Sequence, residues 1–371
     1  MSGPPDAAAL KAGLLTHRAG DFTLESGETL RDVRQAYRLE GEIDANGGNL
    51  VLLFHSLTGS PADLGGWDAF VGPGRPIDTQ RFAVLAPNLL GACYGTRFLR
   101  DAGRAGRPPA VTTRDMARLA GLLVGDLGVR RLSLVAGGSL GGMVTLEHCA
   151  TFPEGAAAAI SFAAPASPTA WGAAWNHVHR SAIEAAPRSG LALARMVGML
   201  TYRTPGEVER RFRPTVPEAH PVRDYLDHHG EKLVRRFATK SYLALLDTMD
   251  SHDVARGRSS VARTLGAFRG HLLGVGIPGD LLYPPEEVLR WTRECGAGYR
   301  ELASPSGHDA FLLETDAVGD LLAEALDGRS PSPPRLLPPR TPPGAFALLQ
   351  QDPGRASAPP RPAGGGPRTR W

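Results

Sequence analysis

Residues 132–145 read Leu-Ser-Leu-Val-Ala-Gly-Gly-Ser-Leu-Gly-Gly-Met-Val-Thr. A short apolar run at 132–136 enters Gly137-Gly138-Ser139-Leu140-Gly141-Gly142, and an apolar, helix-compatible segment continues through Leu146 and Cys149. Strand, G-x-S-x-G, helix is the order that lifts a serine hydroxyl above a parallel sheet as a nucleophile. The glycines have a steric reason. The sharp turn strains the serine backbone, and side chains beside it would meet the strand and the helix. Ser139 then lies at a helix N-terminus, where the dipole and free N–H groups favour a developing anion. G-x-S-x-G alone recurs by chance, so its weight depends on its flanks.

The flanks continue the pattern. Leu50-Val51-Leu52-Leu53-Phe54 is a continuous apolar run, as in a strand buried on both faces of a parallel sheet. Residues 82–86, 157–162, 272–277 and 299–302 read as further strands. Residues 113–127 carry helical spacing through Met116, Leu119, Leu122 and Leu123. Residues 22–24 and 33–39 alternate around Glu25-Ser26-Gly27-Glu28 as an antiparallel hairpin, behind a loose leader at 1–18. Strands alternating with helices predict an α/β fold with a mostly parallel, doubly wound sheet.

About 110 residues separate the strands at 157–162 and 272–277, too many for an ordinary crossover. Helix faces emerge from Trp171, Trp175, Val178 and Ile183, from Leu191, Ala194, Met196, Val197 and Leu200, and from Tyr242, Leu243, Leu245, Leu246 and Met249. This reads as a helical lid over the carboxyl ends of the strands, where open α/β folds bind ligands. The expected layout is core at 19–165, lid at 166–262, core again at 263–327 and a Pro/Arg/Gly-rich disordered tail at 328–371.

Composition narrows the function. The chain has 371 residues, is 42% hydrophobic and 21% charged, and carries a formal net charge of +3. Residues 329–371 hold seven arginines against Asp352, so the remainder holds 34 basic and 37 acidic residues, a net of −3. A near-neutral folded part offers no case for nucleic-acid binding. Cys93, Cys149 and Cys295 lie far apart with no C-x-x-C spacing, which suggests neither a disulfide framework nor a metal site. No signal-peptide core and no membrane-length run is present, so a soluble cytoplasmic protein is the expectation.

A nucleophilic serine needs a base, and the base needs an orienting acid. After a G-x-S-x-G elbow they follow in the order Asp, then His, from loops after later strands. Asp280 follows the 272–277 strand in Pro278-Gly279-Asp280-Leu281-Leu282-Tyr283-Pro284-Pro285. His308 follows the 299–302 strand in Ser304-Pro305-Ser306-Gly307-His308-Asp309-Ala310-Phe311. A lone Asp in a turn caps it and a lone His in a loop is solvated, but together and in order they complete a triad. Two N–H groups should hold an oxyanion: that of Leu140, and that of Leu57 in His55-Ser56-Leu57-Thr58-Gly59. His55 is expected to shape that loop.

With these segments laid out, residues 20–326 resemble the homoserine O-acetyltransferases, acyltransferases of the α/β-hydrolase fold. The resemblance rests on His55-Ser56-Leu57-Thr58-Gly59, Gly72-Pro73-Gly74, Ile77-Asp78-Thr79 and Asn88-Leu89-Leu90-Gly91-Ala92-Cys93-Tyr94-Gly95. It also rests on residues 137–143, Phe152-Pro153-Glu154, Leu193-Ala194-Arg195-Met196, Leu200-Thr201-Tyr202, Ser241-Tyr242-Leu243, Met249-Asp250 and Gly307-His308-Asp309-Ala310-Phe311-Leu312. It implies Ser139, Asp280 and His308 as the triad and Arg195, Tyr202 and Asp309 as the amino-acid site. Arg suits a carboxylate and Asp an ammonium group.

The resemblance also implies acetyl-CoA and L-homoserine as substrates, no bound cofactor or metal, and a homodimer formed through the lid. The chain departs from the family at Thr96-Arg97-Phe98-Leu99, in a short segment between Ile183 and Gly190, and in its tail. The first two border the substrate pockets. A succinyl donor, serine as acceptor, a plain esterase and a non-catalytic binding protein are the alternatives.

Overall fold

The computed structural model describes residues 13–99, 109–214, 216 and 220–328. The first elements are β1 (Leu15–Thr23), β2 (Thr29–Glu40), β3 (Leu50–Phe54), β4 (Ala83–Pro87) and β5 (Arg97–Leu99). They are followed by α1 (Thr113–Asp126), β6 (Leu132–Gly138), α2 (Leu140–Thr151) and β7 (Ala156–Phe162). Five helices come next: α3 (Ala170–Ala185), α4 (Pro187–Thr201), α5 (Pro205–Phe212), α6 (Pro221–Arg236) and α7 (Thr239–Asp250). The chain closes with α8 (Val261–Gly266), β8 (His271–Gly276), α9 (Pro285–Cys295), β9 (Gly298–Glu301), α10 (Ala310–Leu313) and α11 (Thr315–Leu326).

The strands form one sheet in the order β1-β2-β4-β3-β6-β7-β8-β9, with β5 added to β2. From β4 to β9 every pairing is parallel, and β1, β2 and β5 join antiparallel. All of β3 and β4 is buried, which explains why they read as unbroken apolar runs. Leu50, Leu52 and Phe54 face one layer with Met116, Leu119 and Met143, while Val51 and Leu53 face the other with Trp67, Phe311, Val318 and Leu322. The sheet is therefore covered on both sides.

The leader is a correction. Residues 15–18 belong to β1 rather than to loose chain, paired with β2 from Leu15↔Tyr37 onward. In β1 only His17 and Phe22 are buried, so this edge strand is held by its backbone ladder and leaves little apolar periodicity to read. The expected hairpin is present, with Gly27 N–H donating to the Leu24 carbonyl at its turn.

The segment expected to form a lid is a run of five helices, α3 to α7, between β7 and β8. Two of its helices, α5 and α6, escaped the sequence pattern because they bury almost nothing: Glu207 in the first, Gly230 and Leu233 in the second. The short segment between Ile183 and Gly190 proves to be a helix-to-helix turn with Ala186 alone between α3 and α4. A Cβ on Gly190 would lie 1.9 Å from the Ala182 carbonyl oxygen, so the two helices meet backbone to backbone there. The variant Thr96–Leu99 stretch is pinned too: Asn88 Nδ2 donates to Thr96 Oγ1 at 2.8 Å, and β5 pairs with β2. Among the described residues no helix is long and apolar enough to cross a membrane. The tail at 329–371 lies outside them.

Candidate active site

Ser139 stands between the end of β6 and the first turn of α2 with φ 56° and ψ −125°. For a residue with a Cβ this is sparsely populated backbone costing about 1–3 kcal/mol. Close packing holds it there. A Cβ on Gly137 would lie 2.3 Å from the Gly141 carbonyl oxygen, and one on Gly141 would lie 2.5 Å from that of Phe54. The Ser139 N–H donates to the Phe162 carbonyl of the neighbouring strand. Its hydroxyl makes no capping hydrogen bond, and the residue is only 5% exposed.

Asp280 and His308 meet although 28 positions separate them. The Asp280 loop follows β8 and the His308 turn follows β9, and those strands are parallel neighbours, so their carboxyl ends lie side by side. His308 Nδ1 donates to Asp280 Oδ2 at 2.7 Å. Asp280 Oδ1 accepts the N–H groups of Leu282 at 2.7 Å and Tyr283 at 2.9 Å, which fixes the carboxylate from behind. His308 Nε2 is buried with no hydrogen-bond partner. Burial alone would lower the imidazole pKa, but the charge and hydrogen bond of Asp280 and the charge of Asp309 outweigh it, and the net shift is upward. Tyr202, Tyr283 and Phe311 pack around the ring at centroid distances of 5.6, 5.8 and 5.9 Å.

The two expected oxyanion donors come from separate places, a helix start and a loop. Leu140 is the first residue of α2, so its N–H has no intrahelical carbonyl to meet. Leu57 lies in the loop leaving β3, and that loop is built on His55. His55 Nδ1 donates to the Ser56 carbonyl at 2.8 Å, and its Nε2 accepts the Leu89 N–H at 3.0 Å. The ring is buried and its pKa is lowered to about 4, burial being the cause. His55 is thus a neutral strut between two loops, in the loop-shaping place expected of it. From the lid, Arg236 donates to the Thr58 carbonyl at 2.7 Å and to the Tyr94 hydroxyl at 2.5 Å.

Arg195, Tyr202 and Asp309 also converge. Arg195 is half-buried on α4, with its guanidinium carbon 5.6 Å from the Tyr202 ring centroid. Burial raises the Tyr202 pKa against the opposing charge of Arg195. Asp309 follows His308 directly and pairs with Arg203, Nη2 to Oδ2 at 3.3 Å. Burial raises the Asp309 pKa, partly offset by Arg203, His308 and Arg195. The α4 helix and the His308 turn therefore bring a cationic and an acidic side chain near Tyr202.

Arg203, Tyr283 and Arg236 were not singled out from the sequence. Tyr283 sits in the quoted Asp280 segment and could have been suspected from its neighbours. Arg203 and Arg236 carry no local signal, because their partners are far away in the chain.

Comparison with known proteins agrees with the geometry. The alpha/beta hydrolase fold family matches residues 49–181. A homoserine O-acetyltransferase of Thermus thermophilus is 41% identical over 350 residues, covering 84% of this chain and 90% of its own. One from Carboxydothermus hydrogenoformans is 37% identical, covering 83% and 93%. The crystal structure of homoserine O-acetyltransferase from Staphylococcus aureus superposes with a TM-score of 0.73 at 30% identity, covering 85% of this chain and 95% of that one. An acetylester hydrolase from Corynebacterium glutamicum reaches 0.77 at 20% identity, covering 88% and 100%, a likeness of fold alone. With identities of this size over nearly the whole folded part, the chain belongs to the homoserine O-acetyltransferase family.

Proposed function

We propose that the protein transfers an acetyl group from acetyl-CoA to the side-chain hydroxyl of L-homoserine by way of acetyl-Ser139. The observation that carries this reading is the His308–Asp280 pair, 2.7 Å apart, together with a serine held at positive φ, in a chain of this family. His308 Nε2 takes the Ser139 proton as the serine oxygen attacks the thioester carbonyl. The Leu57 and Leu140 N–H groups receive the oxyanion. The tetrahedral intermediate collapses, His308 returns the proton to the departing sulfur, and free CoA leaves an ester on Ser139.

Homoserine then enters. Arg195 grips its carboxylate and Asp309 its ammonium group, beside Tyr202, and its hydroxyl gives a proton to His308 as it attacks the ester. The second collapse releases O-acetylhomoserine and restores the Ser139 hydroxyl. The steps call for no metal or redox cofactor. Burial of Ser139 favours transfer over hydrolysis by keeping water out. A CoA thioester as donor goes with a cytoplasmic enzyme. Exposed Val178, Leu193 and Leu200 on α3 and α4 support a homodimer through the lid.

Mass spectrometry after brief mixing with acetyl-CoA tests the reading. The expected result is one acetyl group on Ser139 that homoserine removes as O-acetylhomoserine. A succinyl adduct formed in preference, or discharge by serine in preference, would reassign the substrates. Equal consumption of acetyl-CoA with and without homoserine would make the protein a hydrolase.

A further inference from the structure

The lid segment Tyr202-Arg203-Thr204 is stitched to the turn that carries His308. The Asp309 N–H donates to the Tyr202 carbonyl at 3.3 Å, and Thr204 Oγ1 donates to the Pro305 carbonyl at 2.5 Å. Gly307, at φ 64°, lies so close that a Cβ there would be 3.1 Å from Arg203 C, Thr204 N and the Tyr202 carbonyl oxygen. The Arg203 side chain runs through this seam and is 13% exposed. One end of its guanidinium meets Asp309 at 3.3 Å, and Nη1 meets both carboxylate oxygens of Glu207 at 3.3 and 3.4 Å. Glu207 is itself fixed, with its N–H capped by Thr204 Oγ1 and its side chain 9% exposed.

Two carboxylates thus share one guanidinium. The trio carries a net charge of −1, the charge that a bound ammonium group neutralises. Asp309 is also faced by Arg195 from α4, by His308 on its own turn and by Asp280 behind that. His229 on α6 senses both Arg195 and Arg203. Among these groups only Arg203 makes an ion pair with the Asp309 carboxylate.

We propose that Arg203 is the positioning residue for the amino-acid acceptor: it clamps Asp309 in its ionised form and fixed orientation, with Glu207 as the brace that aims the guanidinium. The assignment rests on the reading that Asp309 receives the ammonium group of homoserine. It separates the two half-reactions. Acylation of Ser139 by acetyl-CoA needs His308 and Asp280 but not Asp309. Discharge by homoserine needs Asp309.

The test uses the full-length enzyme and its Arg203→Gln and Arg203→Lys variants, with the two half-reactions measured separately. The rate of acetyl-Ser139 formation is followed by mass, and the KM for homoserine is taken from steady-state turnover. Arg203→Gln is expected to acylate within about twofold of the parent while its KM for homoserine rises at least about tenfold, the scale of a lost charged hydrogen bond. Arg203→Lys, which keeps the charge but loses the fork, is expected to recover a large part of that loss. Normal acylation also certifies the fold of each variant.

Acylation that falls in step with discharge would make Arg203 a structural support of the His308 turn and overturn the proposal. An unchanged KM would overturn it as well. If homoserine fails to discharge the parent acyl-enzyme, the function itself is wrong and the assignment falls with it; if the parent discharges normally and the variants keep their KM, the assignment fails alone.

Discussion

Gly138 lies against the ring of Phe311 so closely that a Cβ on the glycine would be 2.3 Å from Phe311 Cε2. The same ring stands edge-on to His308, at 5.9 Å and 85°. The last residue of β6 and the third residue after the base thus set each other's place, and Ser139 adjoins one of them. Gly138→Ala is expected to push Phe311 into His308 and to cost about 1–3 kcal/mol of stability, as overpacked cores do. Thermal denaturation and acyl-transfer rate should fall together. Phe311→Leu added to Gly138→Ala should return part of both, because it makes room at the contact.

Ser139→Ala is expected to lower CoA release from acetyl-CoA at least about a thousandfold with an unchanged melting curve. Release is read with a thiol reagent. Turnover that survives would remove Ser139 from the mechanism.

Asp280→Asn leaves an amide where Oδ1 now takes two backbone N–H groups and Oδ2 takes the His308 Nδ1–H. At least one of these three bonds must be lost or reversed, because an amide nitrogen donates and cannot accept. The expected result is a fall in acylation rate on the order of 10²–10⁴, through the wrong tautomer of His308. A single-turnover assay with acetyl-CoA measures it.

The activity profile should rise with pH. His308 acts as a base only when neutral, and its pKa is raised because Asp280 and Asp309 outweigh the effect of burial. The acid limb of kcat/KM for acetyl-CoA is therefore expected above the ordinary histidine value of about 6.5. A limb below that value would contradict the arrangement.

Stability should have the opposite origin at low pH. Burial holds His55, His148 and His179 at about 4 and His252 at about 3. These rings are neutral in the folded state and charged in the unfolded chain below about 6.5. The unfolded state then binds more protons, so their contribution is present above pH 6.5 and lost as pH falls toward 4, by up to about 1.4 kcal/mol per unit for each histidine. His308, whose pKa is raised, works the other way: its contribution is present below pH 6.5 and lost as pH rises through its folded value. Urea midpoints at pH 7, 5.5 and 4.5 should fall steeply. His148 has no hydrogen-bond partner on either ring nitrogen and packs on Phe54 and Phe152. His148→Leu should flatten the slope by about one proton.

The lid offers a simpler test of assembly. Val178→Glu or Leu193→Glu puts a charge on an exposed apolar position of α3 or α4. Light scattering should show a dimer for the parent and a monomer for either variant.

What could be read from the chain follows from where each signal lies. Leu50-Val51-Leu52-Leu53-Phe54 announced a strand because both its faces are buried. Ser139 was legible because the glycines of an elbow must be adjacent in sequence. Asp280 and His308 were legible because they end two strands, and strand ends can be counted. The α6 helix was not, since only Gly230 and Leu233 are buried along it. Nor was Arg203, whose partner Asp309 is brought to it by the fold and not by spacing. Residue pairs made across elements leave no periodicity, and both lid arginines at the site are of that kind.

The seam at Tyr202-Arg203-Thr204 also says where this protein tolerates changes of length. Past Thr204, α5 buries only Glu207 and α6 only Gly230 and Leu233, so their outer faces carry few constraints. Before Thr204, one inserted residue would shift the carbonyl that meets the Asp309 amide and the hydroxyl that meets Pro305, and the general base would travel with them. For recombining lids between relatives, the forward splice point therefore lies after Glu207, so that the brace stays with Arg203.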